Sequence, residues 1–248
     1  MQTRSPYLVC GTAKSGSAWL ADLLRATGIA GRPEPFFERR YATNQPTQPR
    51  EFFEHVDNPR ILALLPELQP GTPQSPEAFD AQLAHALSAG ATSNGVWAAQ
   101  LEWGYLLDLL RRLKERPGAE RLGARPLLDT AFGDPRYVLV LRTDKLAQAA
   151  ALWHDLQPEP EYSAAAIRHL REQLTNQERA WVRWCRAAAV DPVVVTYEDL
   201  VDAPERVVHG LIADLGIEGD LPRVIAPRHE DAPAAWAQQF EFDQSVAA

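Results

Sequence analysis

The chain has 248 residues, of which 46% are apolar and 23% charged, a composition that suits one large α/β domain or two small ones with a sizeable core. A net charge of −8 argues against wholesale nucleic-acid binding, which needs a basic face. Two cysteines, Cys10 and Cys185, cannot build a disulfide framework, no CxxC or Cys/His cluster points to a metal, and no apolar run nears the ~20 residues of a membrane span. The first residues lack a signal-peptide pattern, so a reducing, cytoplasmic compartment and no membrane partner are the expectations. Only three lysines, Lys14, Lys114 and Lys145, stand among many arginines.

In chain order, Tyr7 to Gly11 is a short apolar run ending in glycine and reads as a buried strand. After the turn TAKSGS, Leu20, Leu23, Leu24 and Thr27 fall at helical spacing, with Gly28 as the stop. Residues 31–76 hold nine prolines, which exclude a long helix or a central strand. Phe36, Phe37, Tyr41, Phe52 and Phe53 in that stretch argue for order. It reads as a substrate-facing loop region with a short helix near 59–65. Residues 76–89 are predicted helical, 94–100 a turn into a buried strand, and 102–115 a helix with Leu106, Leu109, Leu110 and Leu113 on one face. RYVLVLR, residues 136–142, is the clearest strand. Leu146, Ala149, Ala150 and Trp153 mark the next helix, 163–189 a long one, 192–196 a strand, and Val207 to Leu215 a helix closed by Gly216. The strands are apolar throughout and alternate with helices, the pattern of a parallel sheet covered on both faces. Nothing splits the chain, so residues 1–248 read as a single domain.

Two segments carry chemistry. Gly11-Thr12-Ala13-Lys14-Ser15-Gly16-Ser17-Ala18 joins the first strand to the first helix. Backbone amides at such a turn converge on one point, and the helix dipole adds about half a positive charge there. Gly16 allows close approach, Ser15 and Ser17 add hydroxyls, and Lys14 adds a full charge. The spacing departs from the ATPase loop GxxxxGK[ST]: Ser17 and Ala18 follow the second glycine, so nothing there suits Mg-ATP, and a P-loop kinase ranks low. Taken alone, the loop could instead be a tight turn with solvated polar residues, the weaker of the two readings. Arg142 closes the strand RYVLVLR and would stand on the same sheet edge, in the crevice where such sheets take ligands. Taken alone it could instead pair with Asp144 or another carboxylate.

Together the stretches YLVCGTAKSGSAWLADLLRATGIAGRPEPFFE, QPREFFEHVDNPRILALL, NGVWAAQLEW, YVLVLRTDKLAQAAALW, VVVTYEDLVDAPERVVHGLIADLGI and RHEDAPAAW resemble sulfotransferases that use 3'-phosphoadenosine-5'-phosphosulfate, and most of all the bacterial trehalose 2-sulfotransferase family. The resemblance implies a three-layer, P-loop-like α/β fold with a central, mostly parallel sheet flanked by helices. It implies that Lys14, Ser15, Gly16, Ser17 and the amide of Ala18 hold the 5'-phosphosulfate, without a metal. Arg142 would meet the 3'-phosphate, Tyr197 would lie near the adenine, and Arg228 would close over the donor from a C-terminal segment, residues 222–248. It implies transfer of the sulfuryl group to a hydroxyl or amine of a small molecule or carbohydrate, an amine of low pKa needing little base, and a homodimer.

Five positions depart from the family pattern. Lys14 replaces an arginine and so loses the bidentate fork. Ala18 replaces a threonine, Ala151 a serine that helps bind the 3'-phosphate, and Gln100 a lysine. The catalytic glutamate falls at Pro35. Lys14 would neutralise the leaving phosphate. The general base stays open: Glu34 is the neighbour of Pro35, with Glu38, His55 and His154 in reserve. Phe36, Phe37 and Phe53 are candidate walls of an acceptor pocket, whereas Trp97 suits the core. The alternative is a degenerate relative that binds nucleotide or a partner without transferring a sulfuryl group.

Overall fold

The computed structural model describes residues 5–219 and 234–246. Four parallel strands form one sheet in the order β2-β1-β3-β4: β1 is Tyr7–Gly11, β2 Ala98–Glu102, β3 Arg136–Leu141 and β4 Val193–Thr196. The helices are α1 Ser17–Ala26, α2 Pro59–Ala63, α3 Pro76–Ala89, α4 Trp103–Lys114, α5 Ala124–Phe132, α6 Lys145–Asp155, α7 Ala164–Ala187, α8 Tyr197–Asp202, α9 Pro204–Asp214 and α10 Ala234–Val246. A single 3-10 turn, Pro49–Phe53, lies in the long excursion between α1 and α2.

The strands are apolar on both faces because both faces are covered. Tyr7 and Val9 of β1 join Val138, Val140 and Val195 in a core capped by Leu20, Leu23 and Leu24 of α1 and by Val208, Leu211 and Ile212 of α9. Leu8 and Cys10 face the other way, into a core with Leu101, Leu139, Leu106 and Leu109 of α4, Leu128 of α5 and Trp181 of α7. The alternation follows from the two-residue period of a strand. Fully burying each leucine contributes roughly 1.5–3 kcal/mol. A third cluster packs Phe53, Ile61 and Leu65 of the excursion against α6 and α7, with Phe240 of α10.

The chain leaves β1 toward β2 on one side and later fills β3 and β4 on the other. The switch of direction lies between β1 and β3, and there the carboxyl ends of the strands open a crevice. The predicted second strand is displaced: Asn94 and Gly95 form a turn, Ala91 bridges Trp97, and β2 runs on to Glu102. Glu102, expected as the first residue of a helix, ends the strand and caps α4 instead. Helices α5 and α8 and the C-terminal α10 were not foreseen, their stretches being short or polar. No helix among the described residues is long and apolar enough to cross a membrane.

Candidate active site

The loop between β1 and α1 is held from outside by its carbonyls. Trp181 Nε1 donates to Gly11 O at 2.7 Å, Gln148 Nε2 to Ala13 O at 2.7 Å and Thr12 Oγ1 at 2.9 Å, and Arg142 Nη1 to Lys14 O at 3.2 Å. Three separate elements thus fix one turn. Its backbone coils through left-handed positions at Lys14 (φ 59) and Gly16 (φ 92). The amides of Lys14, Gly16, Ser17 and Ala18 find no acceptor among the described residues, whereas Ser15 N bonds to Thr12 O. Ser15 is fully buried and its Oγ has no partner among the described residues. Orphaned donors converging at a helix N-terminus form an anion cradle. The crowding explains both glycines: a Cβ at Gly11 would lie 2.5 Å from Ser15 Oγ, and one at Gly16 would lie 2.8 Å from Tyr197 Cδ2.

Arg142 stands one residue past β3 and is only 2% exposed. Its guanidinium lies over the Tyr197 ring, 4.0 Å from the centroid. Tyr197 therefore touches both the loop at Gly16 and the arginine. Asp144 is occupied in capping α6, its Oδ1 accepting from Ala147 N at 2.8 Å. The turn after β3 is held by Glu198 Oε1, which accepts from the amides of Thr143 and Asp144 at 3.0 and 3.2 Å. Burial works to raise the Glu198 carboxyl, but these donors outweigh it and hold it below its usual range. Lys14 and Arg142 thus share one rim, linked by a hydrogen bond. The Lys14 ammonium contacts Asp155 at the end of α6. Burial opposes ionisation of Asp155, yet the bond and charge of Lys14 leave its carboxyl below the usual range.

Beside the loop, register pairs Gly11 with Glu102. A cleft of about 190 Å³ opens there, lined by Ala13, Glu102, Tyr105, Thr47, Glu51 and Arg40 among others. Arg40 and Glu51 also line a neighbouring cavity of about 560 Å³ with Tyr41 and Asp108. Burial, then the charge of Glu102, push the Glu38 carboxyl well above its ordinary value, with contact to the Glu102 main chain offsetting part. Burial likewise raises Glu102, opposed by the Lys14 charge.

Not every candidate reaches this place. Glu34 turns its carboxylate to Arg25 Nη1 at 3.7 Å, in the last turn of α1, and at 1.5 Å per residue that turn lies about 12 Å along the helix from the cradle. The cause is main-chain pairing: Glu34 O accepts from Gln100 N at 3.0 Å, which lays this residue along β2. Phe37 is buried against Phe132, with ring centroids 5.4 Å apart, and Phe36 packs on Phe37 and His85. Phe37 belongs to the core, Phe36 is half-buried against it, and neither lines either of the two cavities. Phe53 is 1% exposed, packs against Trp153 and His169, and is among the residues that line the larger cavity. His154 sits beside Asp155 at 3.3 Å, and His55 is exposed on the excursion. Arg228 lies outside the described residues, as does most of the stretch expected to close over the site. Missed altogether was Glu102, whose one signal was a charge at the end of the apolar run VWAAQL.

The Stf0 sulphotransferase family matches residues 6–159 and 155–243. The chain belongs to that family. Its relatives include a trehalose 2-sulfotransferase of Mycobacterium tuberculosis, 37% identical over 206 residues and 77% of each chain. A trehalose 2-sulfotransferase of Mycolicibacterium smegmatis is 32% identical over 253 residues, 96% of this chain and 94% of that one. Among solved structures, a sulfotransferase from Alicyclobacillus acidocaldarius matches with a TM-score of 0.47 and 16% identity, over 99% of this chain and 94% of the other. In this Stf0 protein no group of three or more His, Cys, Asp or Glu gathers as a metal site among the described residues.

Proposed function

We propose that the protein moves a sulfuryl group from 3'-phosphoadenosine-5'-phosphosulfate to a hydroxyl of a carbohydrate, with trehalose as the first acceptor to try. The observation that carries this is the pairing on one rim of an amide cradle and a buried arginine, two anion-binding points joined by the bond from Arg142 to Lys14 O. The fit is supported by the orphaned amides of Lys14, Gly16, Ser17 and Ala18 and by the unpartnered, buried Ser15 hydroxyl. These residues would hold the 5'-phosphosulfate, and Arg142 the 3'-phosphate. Tyr197, which braces Gly16 and Arg142, would keep the two points at a fixed spacing beside the adenine. When bound, the donor supplies the sulfuryl group; the chain supplies position and charge stabilisation, the main resources of such transfers. Lys14, on leaving Asp155, would face the charge that grows on the leaving phosphate. The excursion, which lines both cavities through Arg40 and Glu51, would form the acceptor side. Its mixture of carboxylates, arginines and Tyr41 offers many polar contacts to a polyhydroxyl ligand.

Calorimetry with adenosine 3',5'-bisphosphate and transfer of labelled sulfate to trehalose test this reading. Binding with turnover is the expected result. No detectable binding at millimolar ligand would reject the donor, and binding without turnover on any sugar would favour a binding protein. Arg142→Ala should weaken the bisphosphate more than adenosine 5'-phosphosulfate, which lacks the 3'-phosphate. Equal losses would remove Arg142 from that role.

A further inference from the structure

The expected base position is a proline, and Glu34 faces Arg25, so a hydroxyl acceptor needs its proton taken by another group. The candidate must lie in the cleft beside the cradle. Glu102 does: it ends β2 opposite Gly11, lines the small cleft together with Ala13, and feels the charge of Lys14. Glu38 lies against it, its Oε1 buried without a hydrogen-bond partner among the described residues. Tyr105 lines the same cleft, and its hydroxyl accepts from Thr47 N at 2.8 Å, so its own proton remains to be donated. Arg40, Glu51 and Glu54 are the other charged groups lining this cleft, with Arg40 and Glu51 paired at 3.6 Å.

We propose that Glu102 is the general base of the transfer and that Glu38 is a positioning residue acting through it. This rests on the donor reading above. The acceptor hydroxyl gives its proton to a Glu102 carboxylate oxygen. The acceptor oxygen forms the new bond to sulfur as the bond from sulfur to the bridging phosphate oxygen breaks, and the electron pair of that bond leaves with adenosine 3',5'-bisphosphate. Two carboxyls this close cannot ionise together cheaply, so they titrate as a pair. Both are displaced upward, which makes the ionised member a stronger base at neutral pH than an exposed glutamate.

The test uses the full chain with Glu102→Gln, Glu102→Asp and Glu38→Gln. Carbon-13 carboxyl NMR of the free protein should show two glutamates titrating above the ordinary range, each lost in its own glutamine variant. Glu102→Gln should bind adenosine 3',5'-bisphosphate like wild type yet lose ~10²–10⁴-fold in transfer to trehalose, and Glu102→Asp should recover part of that loss. Glu38→Gln should keep bisphosphate affinity and move the acid limb of the kcat/KM profile to lower pH, because a like charge is gone. Ordinary titration of both glutamates, undiminished transfer by Glu102→Gln, or an unmoved acid limb in Glu38→Gln would each overturn the assignment. If Glu102→Gln does not fold, a Glu102→Asp variant with wild-type rate and profile overturns it equally. Wild-type transfer with an indifferent Glu102 removes the base alone; a wild type that neither binds bisphosphate nor transfers removes the donor reading and the base with it.

Discussion

Lys14 is a charged residue in a backbone conformation that suits glycine, with its ammonium held by Asp155. The two side chains are 38% and 46% exposed, so the pair is screened by water and is worth at most ~1 kcal/mol. The doubly anionic donor proposed for the cradle would compete with Asp155 for the ammonium. Asp155→Asn should therefore raise bisphosphate affinity, but only by a factor of about five or less, as read by calorimetry. A larger gain would mean that the contact holds the site shut. Glu38 and Glu102 lead to a second expectation. Their carboxyls are raised in the folded chain, whereas an unfolded glutamate titrates near ~4.3. Above that value the folded state holds protons that the unfolded state has released. The stabilisation is complete below it and is lost as pH rises through the folded value. Urea unfolding at pH 5 and pH 8 should show wild type losing on the order of 1 kcal/mol more between the two than Glu38→Gln. Equal slopes for the two proteins would deny the coupling. At this scale Lys14 and Arg142 were legible, because charges at the ends of apolar runs stand out. Glu102 was not, because the charge that follows VWAAQL reads as the start of the next helix, and only pairing with Gly11 of β1 makes it the end of β2.

Among the elements, the turn between β1 and α1 is fastened by Gln148 of α6, Trp181 of α7 and Arg142 beyond β3. None of those partners is near it in sequence, and no local pattern announces them. Local chemistry did announce the turn itself, through Gly11, Gly16 and the amphipathic run that follows. Gly16→Ala tests how tightly it is held. Alanine at φ 92 costs roughly 1–2 kcal/mol in the backbone alone, and its Cβ must also displace Tyr197. The variant should unfold at lower urea and lose bisphosphate affinity together. Lowered stability with undiminished affinity would show that the cradle does not depend on that packing. The aromatic residues of the excursion illustrate the opposite limit. Phe37 and Phe53 are spaced irregularly, so periodicity cannot tell a pocket wall from a core anchor; distant partners show that Phe37 packs against Phe132 in the core, while Phe53 packs against Trp153 and His169 and also lines the larger cavity.

Over the whole molecule, the alternation of apolar strands and amphipathic helices was sufficient for a layered parallel sheet, since only double-sided burial explains strands with no polar face. The placing of the rim followed from topology: with all strands parallel, every βα turn of the sheet opens on the same side. A net charge of −8 coexists with that rim because its donors are mostly uncharged amides supplemented by Lys14 and Arg142. The indole bond from Trp181 to Gly11 O makes the second layer a witness to the first. A ring fastened to the turn senses any tightening there, so filling the cradle should alter the protein's ultraviolet emission without an added dye. Titration with adenosine 3',5'-bisphosphate should give a saturable spectral change that Trp181→Phe, which keeps an aromatic ring but has no N–H, largely abolishes. The molecule would then carry its own optical gauge of occupancy.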